Sequence, residues 1–216
     1  YASTNPIKKE TDENPSGYPV MPGKYKVTMS ISIDGLLKEV AGPVEFEAKV
    51  LNNVTLAAND RGDLVAFQKK VNDLNRAVNG AIEVSSDLKS RIEIIKTAIK
   101  QTPKAPQSLI DEANRIADEN TALYRKLVDD EVISKRNEPT YPSINARIGE
   151  VVYGLWQTTS AATESYKQNY RIAADEFKPV LETLKRLVEI DLKNIENQLD
   201  NLNAPWTPGR VPDWKE

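Results

Sequence analysis

From residue 64 to residue 99 the apolar side chains recur in an unbroken alternation of three- and four-residue steps, a spacing that only a helix with one buried face satisfies. The series is Leu64, Phe67, Val71, Leu74, Val78, Ala81, Ser85, Leu88, Ile92, Ile95 and Ile99, broken in character only by Ser85. A rod of this kind spans roughly 60 Å at about 1.5 Å per residue and must find other helices for its seam. Asp60 or Asp63 can cap its start, and Thr102-Pro103 ends it, because the residue before a proline is pushed out of helical geometry. Gly80, beside Asn79, is its weak point, costing about 1 kcal/mol relative to alanine and marking a bend or a close helix crossing.

Partners for the seam follow in order. After the connection Pro103 to Pro106, a second helix is expected, capped by Ser108 with Asp111 three residues on. Its buried positions are Leu109, Ala113, Ile116, Asn120, Leu123 and Leu127. Asn120 needs a polar partner there and is the type of residue that fixes register at a cost in stability. Arg136 to Pro142 is a loop, and Ser143 opens a shorter helix through Ile144, Ile148, Val151 and Leu155, in which Gly149 and Gly154 permit close approach of a neighbour. Trp156 belongs to the core, and Thr158 to Ser160 interrupts the helix.

A last helix from about Ala161 to Leu202 buries Tyr170, Phe177, Leu181, Leu184, Val188, Leu192, Ile195, Leu199 and Leu202. One extra four-residue step, Val188 to Leu192, breaks its heptad, and Pro179 predicts a kink or short break near Glu176. The expected fold is therefore mainly α, an up-and-down antiparallel bundle of about four long helices over residues 60–203.

The chain before the bundle obeys another period. Residues 1–20 are polar and punctuated by Pro6, Pro15, Gly17 and Pro19, which reads as an arm or linker. Residues 21–56 form a small β-hairpin. Tyr25, Val27, Met29, Ile31 and Ile33 alternate with Lys24, Lys26, Thr28, Ser30 and Ser32, as in a half-buried strand. Asp34-Gly35 suits a tight turn, but the alternation resumes only beyond Gly42 and Pro43, with Val44, Phe46, Ala48 and Val50, so the partner strand is placed there. Two strands alone leave an apolar face uncovered, and an exposed patch around Tyr25, Met29 and Phe46 is expected if the neighbour of the hairpin is missing. Residues 204–216 form a tail with Pro205, Pro208, Pro212, Trp206 and Trp214.

Composition narrows the chemistry. The 216 residues include neither histidine nor cysteine, which removes Cys/His nucleophile pairs, Ser/His triads, zinc fingers and the Glu-x-x-His di-iron sites of bundles. A formal charge of -3 argues against nucleic acid, Lys8-Lys9 is too short a basic run to change that, and no apolar run approaches a membrane span. No phosphate-binding glycine motif is present, and no cofactor or metal is expected. Asp129-Asp130-Glu131 and Asp175-Glu176 are the obvious acidic clusters, but neighbours along a helix do not face each other, and such runs read as solvated faces. Asn53-Val54-Thr55 matches a glycosylation sequon, a three-residue pattern that arises readily by chance. Trp206 and Trp214 can stack on a sugar or fill a partner's pocket, or fold back to shield Leu199 and Leu202. A start at Tyr1 rather than methionine leads to the expectation of a processed protein or an excised piece.

Pro22-Gly23-Lys24-Tyr25-Lys26-Val27 resembles the PGxYxV strand that closes the immunoglobulin-like module near the end of large secreted bacterial proteins with sortilin-like, Asp-box β-propellers, often labelled glycosyl-hydrolase-like. Tyr141-Pro142-Ser143-Ile144-Asn145-Ala146-Arg147-Ile148 resembles a segment of the helical region that follows in that family. The chain departs from the family at Leu51-Asn52-Asn53 and Thr158-Thr159. The resemblance implies a secreted, periplasmic or cell-surface location and a non-catalytic C-terminal module, with the hairpin as the remnant of an immunoglobulin-like element. Its partners would be the upstream domains of the same polypeptide, another protein, or a glycan held by the tail tryptophans. The candidate interaction residues are Tyr25, Met29, Phe46, Trp206 and Trp214.

Overall fold

The computed structural model describes residues 4–7, 18–51, 58–136 and 138–212; the sequon at Asn53, the Lys8-Lys9 pair and Trp214 lie outside the described residues. Two strands, β1 (Gly23–Ile33) and β2 (Leu36–Ala48), precede a helical body. That body comprises α1 (Arg61–Gln101), α2 (Gln107–Leu127), the short α3 (Glu131–Lys135), α4 (Ile144–Trp156), α5 (Glu164–Arg186) and α6 (Leu192–Asn201), with a π-turn at Leu187–Asp191 joining the last two. The mainly helical bundle preceded by a small hairpin is the architecture that the periodicity predicts.

α1 is one continuous helix. The Asp60 carboxylate caps it, accepting from the backbone N–H groups of Gly62 at 2.6 Å and Asp63 at 3.2 Å, and the chain leaves helical geometry at Thr102. Its seam is inward as expected, with Phe67 and Leu74 partly and the other positions fully buried. Gly80 does not mark a close crossing: a methyl group built there meets nothing within 4 Å, because the residue lies beside the seam.

α2 buries the six positions read from its spacing, but its capping box does not form. Pro106 occupies the cap at φ -68°, so the helix begins at Gln107 and leaves Ser108 already inside the first turn. The predicted cap of α4 is present, with Ser143 Oγ accepting from the Ala146 N–H at 3.2 Å.

Three contacts fix how the helices run. Ser85 meets Asn120, so α2 returns along the C-terminal half of α1. Gln68 donates to the Leu155 carbonyl at 3.1 Å, so α4 continues along the N-terminal half. Phe67 meets Tyr170 edge-on with ring centroids 5.5 Å apart, and Arg91 pairs with Glu196 at 2.6 Å, so α5 and α6 ascend beside α1. The main core fills the end shared by α1, α2, α5 and α6, and a smaller cluster of Leu64, Val71, Ile148, Val151 and Leu155 fills the other.

No break occurs near Glu176. Pro179 and Asp175 both lie on the exposed side, where water can satisfy the carbonyl that the proline leaves without a donor. The irregularity falls instead at the extra step before Leu192. A π-turn absorbs one residue there, burying Leu187 fully and leaving Val188 only partly buried.

The hairpin also differs from its expectation. Asp34 and Gly35 adopt φ of 51° and 79°, and β2 begins at once at Leu36 rather than beyond Pro43. Two register shifts, between Val27 and Met29 and between Met29 and Ser30, place two extra residues in β2, which erases the alternation in Leu36–Ala41. Gly42 is required at the distortion: its φ is +109°, and a Cβ there would lie 2.7 Å from the Val27 carbonyl oxygen.

Parts of the arm are docked rather than free. Asn75 donates to Thr4 Oγ1 at 3.0 Å, Asn79 donates to the Thr4 carbonyl at 3.2 Å, and Tyr18 is buried edge-on against the partly buried Trp156. At Thr4, helix side chains supply hydrogen bonds that a short polar segment cannot make for itself.

Candidate interaction surface

Pairing across the hairpin places Tyr25 opposite Phe46, Val27 opposite Val44, Met29 opposite Ala41 and Ile33 opposite Leu36. Directly opposed residues share a face, so these side chains and Ile31 make a surface that is apolar except for Lys38, the residue opposite Ile31. It lies open: Met29 is 58% exposed, Phe46 51% and Val44 61%. Tyr25 is the exception. Its ring stacks on Phe46 at 5.8 Å, its hydroxyl donates to the Met21 carbonyl at 2.6 Å, and it is only partly exposed. The opposite face is mainly polar, with Lys26 and Glu45 paired at 3.3 Å, and carries one exposed apolar residue, Leu37 opposite Ser32.

Alternation alone leaves Leu36 off this surface, because it resumes only at Val44 whereas β2 begins at Leu36. The turn dipeptide held the missing signal, since Asp-Gly in a tight turn places the next residue in the partner strand. At the root of the hairpin an apolar groove of about 430 Å³ separates Pro19–Pro22 and Ala48–Leu51 from Leu64, Val65 and Gln68 of α1.

The tail is split. Ala204 and Thr207 are buried, and the Ala204 N–H donates to the Leu199 carbonyl at 2.9 Å, so small residues rather than Trp206 pack at the bundle end. Trp206 is 50% exposed, with the Arg210 guanidinium 4.4 Å from its ring centre. Arg210 is held by Asp200 and by the Pro205 carbonyl. One face of the indole is therefore already taken by a cation.

The acidic clusters serve the fold. Asp129 accepts from the Ser143 N–H at 3.1 Å, Asp130 accepts from the Val132 N–H at 2.9 Å and pairs with Arg125, and Asp175 pairs with Lys178. A different charged group joins the helices. Arg115 binds Glu112 through two hydrogen bonds and also reaches Glu119 and Asp191, while Arg186 reaches Glu119 and Asp191. Hydrogen bonding to Arg115 lowers the Glu112 pKa below its ordinary value. Burial raises that of Glu119, but the bonds from Arg186 and Arg115 outweigh it and the net direction is down. Arg115 is held more firmly protonated by Glu112 and Asp191. The three- and four-residue spacing of Glu112, Arg115 and Glu119 was visible in the sequence; the approach of Asp191 depends on the π-turn.

The two polar interruptions of the helical seams answer each other. Ser85 Oγ donates to Asn120 Oδ1 at 2.8 Å, and Asn120 Nδ2 donates to the Ser85 carbonyl at 2.9 Å. Both residues are buried. Among the described residues no helix is long and apolar enough to cross a membrane. In comparison with known proteins, no family model, no curated protein and no solved structure matches the chain.

Proposed function

We propose that this chain is a non-catalytic interaction module in which the helical bundle is a rigid mount and the hairpin presents an apolar face to a further β-structure. The observation that carries the reading is the open face of Val27, Met29, Val44 and Phe46. An isolated two-stranded ribbon is marginal in water, and contiguous exposed apolar surface marks a contact site. The resemblance at Pro22–Val27 and Tyr141–Ile148 supports, as partner in this proposal, upstream domains of the same polypeptide in an exported glycosyl-hydrolase-like β-propeller protein. Sugar binding by the tail is less favoured, because Arg210 occupies one face of Trp206.

The face can be titrated directly with the dye 1-anilinonaphthalene-8-sulfonate. This chain should bind it, Phe46→Glu should reduce the binding, and the complete gene product should bind at least about fivefold less per mole because the face is covered. Equal dye binding by the chain and the complete product sinks the proposal.

A further inference from the structure

The two edges of the hairpin are unlike. Along β2 the two register shifts distort the strand, and Pro43 has no N–H to offer a neighbour. β1 is an undivided run of eleven residues without proline, exposed along its length apart from Tyr25. The register shifts lie beside Thr28, but their extra residues belong to β2, and an edge that is long and uncovered is a template for another strand.

We propose that β1 pairs antiparallel with β1 of a second copy of this chain about a two-fold axis at Thr28, giving a four-stranded sheet in the order β2-β1-β1-β2. Overlap of all eleven residues, Gly23 through Ile33, places the axis at Thr28. In that register Lys24 faces Ser32, Lys26 faces Ser30 and Val27 faces Met29, so the cations meet hydroxyls and the apolar residues stay on one face. Moving the axis to Tyr25 or Lys26 sets lysine against lysine, which is unfavourable. Two-fold pairing is the commonest closed assembly, and four strands reach a size at which a sheet with an apolar face holds together. The pairing uses the edge of the hairpin, so it goes beyond the reading of its face and leaves that face available.

The chain has no cysteine, so single thiols report the register without background. On the axis, the two thiols of Thr28→Cys stand on α-carbons about 5 Å apart, within disulfide reach. Those of Lys24→Cys are eight residues apart along the strands, about 27 Å, and cannot join within one dimer. Under mild oxidation Thr28→Cys should give linked dimer at least about tenfold faster than Lys24→Cys, a contrast set by that geometry. Sedimentation equilibrium of the unsubstituted chain, which needs no variant to fold, should show mass rising with concentration to twice 24.1 kDa. A monomer throughout overturns the proposal, as does a dimer in which both cysteines link at equal rates, since its contact then lies elsewhere. The dye test of the face is unaffected by either failure.

Discussion

The paired polar residues inside the seam allow a quantitative test. Replacing Asn120 by alanine deletes two buried hydrogen bonds, one to the Ser85 hydroxyl and one to the Ser85 carbonyl. At about 1 kcal/mol net for each bond, plus about 1 kcal/mol for the space left by the side chain, the loss is about 3 kcal/mol. For a chain of this size that lowers the melting temperature by about 6–12 °C. Ser85→Ala alone should cost about 1–2 kcal/mol, since Asn120 Oδ1 loses its donor in a buried place. Leucine has the shape of asparagine without its polar atoms, so the double variant Ser85→Ala/Asn120→Leu should return to within about 1 kcal/mol of the parent or exceed it. The assay is urea unfolding followed by circular dichroism for the parent, Ser85→Ala, Asn120→Leu and the double variant, with Asn120→Ala alongside. The four arms of the cycle should show a coupling of about 1–2 kcal/mol between the sites. Single effects that add to within about 0.5 kcal/mol, or an Asn120→Ala variant as stable as the parent, would refute the assignment of these two residues as mutual partners.

Three further outcomes follow from local geometry. Gly149→Ala should stabilise α4 by about 0.5–1 kcal/mol because the added methyl meets open space, whereas Gly154→Ala should cost about 1–3 kcal/mol because its Cβ would lie 2.2 Å from Tyr166 Oη; thermal melts separate the two signs. Asp191→Ala takes one carboxylate from both Arg115 and Arg186, and since both arginines are partly solvated the cost should be about 1–3 kcal/mol, read by the same unfolding assay. The carboxyls of Glu112 and Glu119 have folded pKa values below their ordinary 4.5, so the stability they contribute is complete above that value and declines as pH falls through the lowered ones. Unfolding free energy should therefore fall from pH 5 to pH 3, and less steeply in Glu112→Gln; a pH slope unchanged in that variant counts against the linkage.

Much of the bundle could be read from spacing. The seams of α1 and α2, the Ser143 cap and the stop at Thr102 are decided within a few residues of chain, by side-chain size at helical intervals and by the conformational limits near proline. The open face of Met29 and Phe46 was equally legible, since a strand with one apolar side and no further strands has nothing to hide behind. Where the structure departs from the expectation, another feature of the chain overrules the simple rule. Pro106 takes the capping role expected of Ser108, and the bulges around Gly42 conceal the first half of β2. Of the two uses open to Trp206, shielding of Leu199 and Leu202 is not the one adopted, because Ala204 and Thr207 pack at the end of the bundle and leave Trp206 to Arg210.

By itself the sequence determined which stretches are helical, which face of each is apolar, and that histidine and cysteine chemistry is absent, because these depend only on residue type and interval. The tertiary structure alone decided that Ser85 and Asn120 meet, that Arg115, Arg186 and Asp191 converge at a π-turn, and that the hairpin stands open beside the bundle. The Ser85–Asn120 and Arg115–Asp191 contacts join residues 35 and 76 positions apart, and periodicity along one element says which way a side chain points but not what stands across from it.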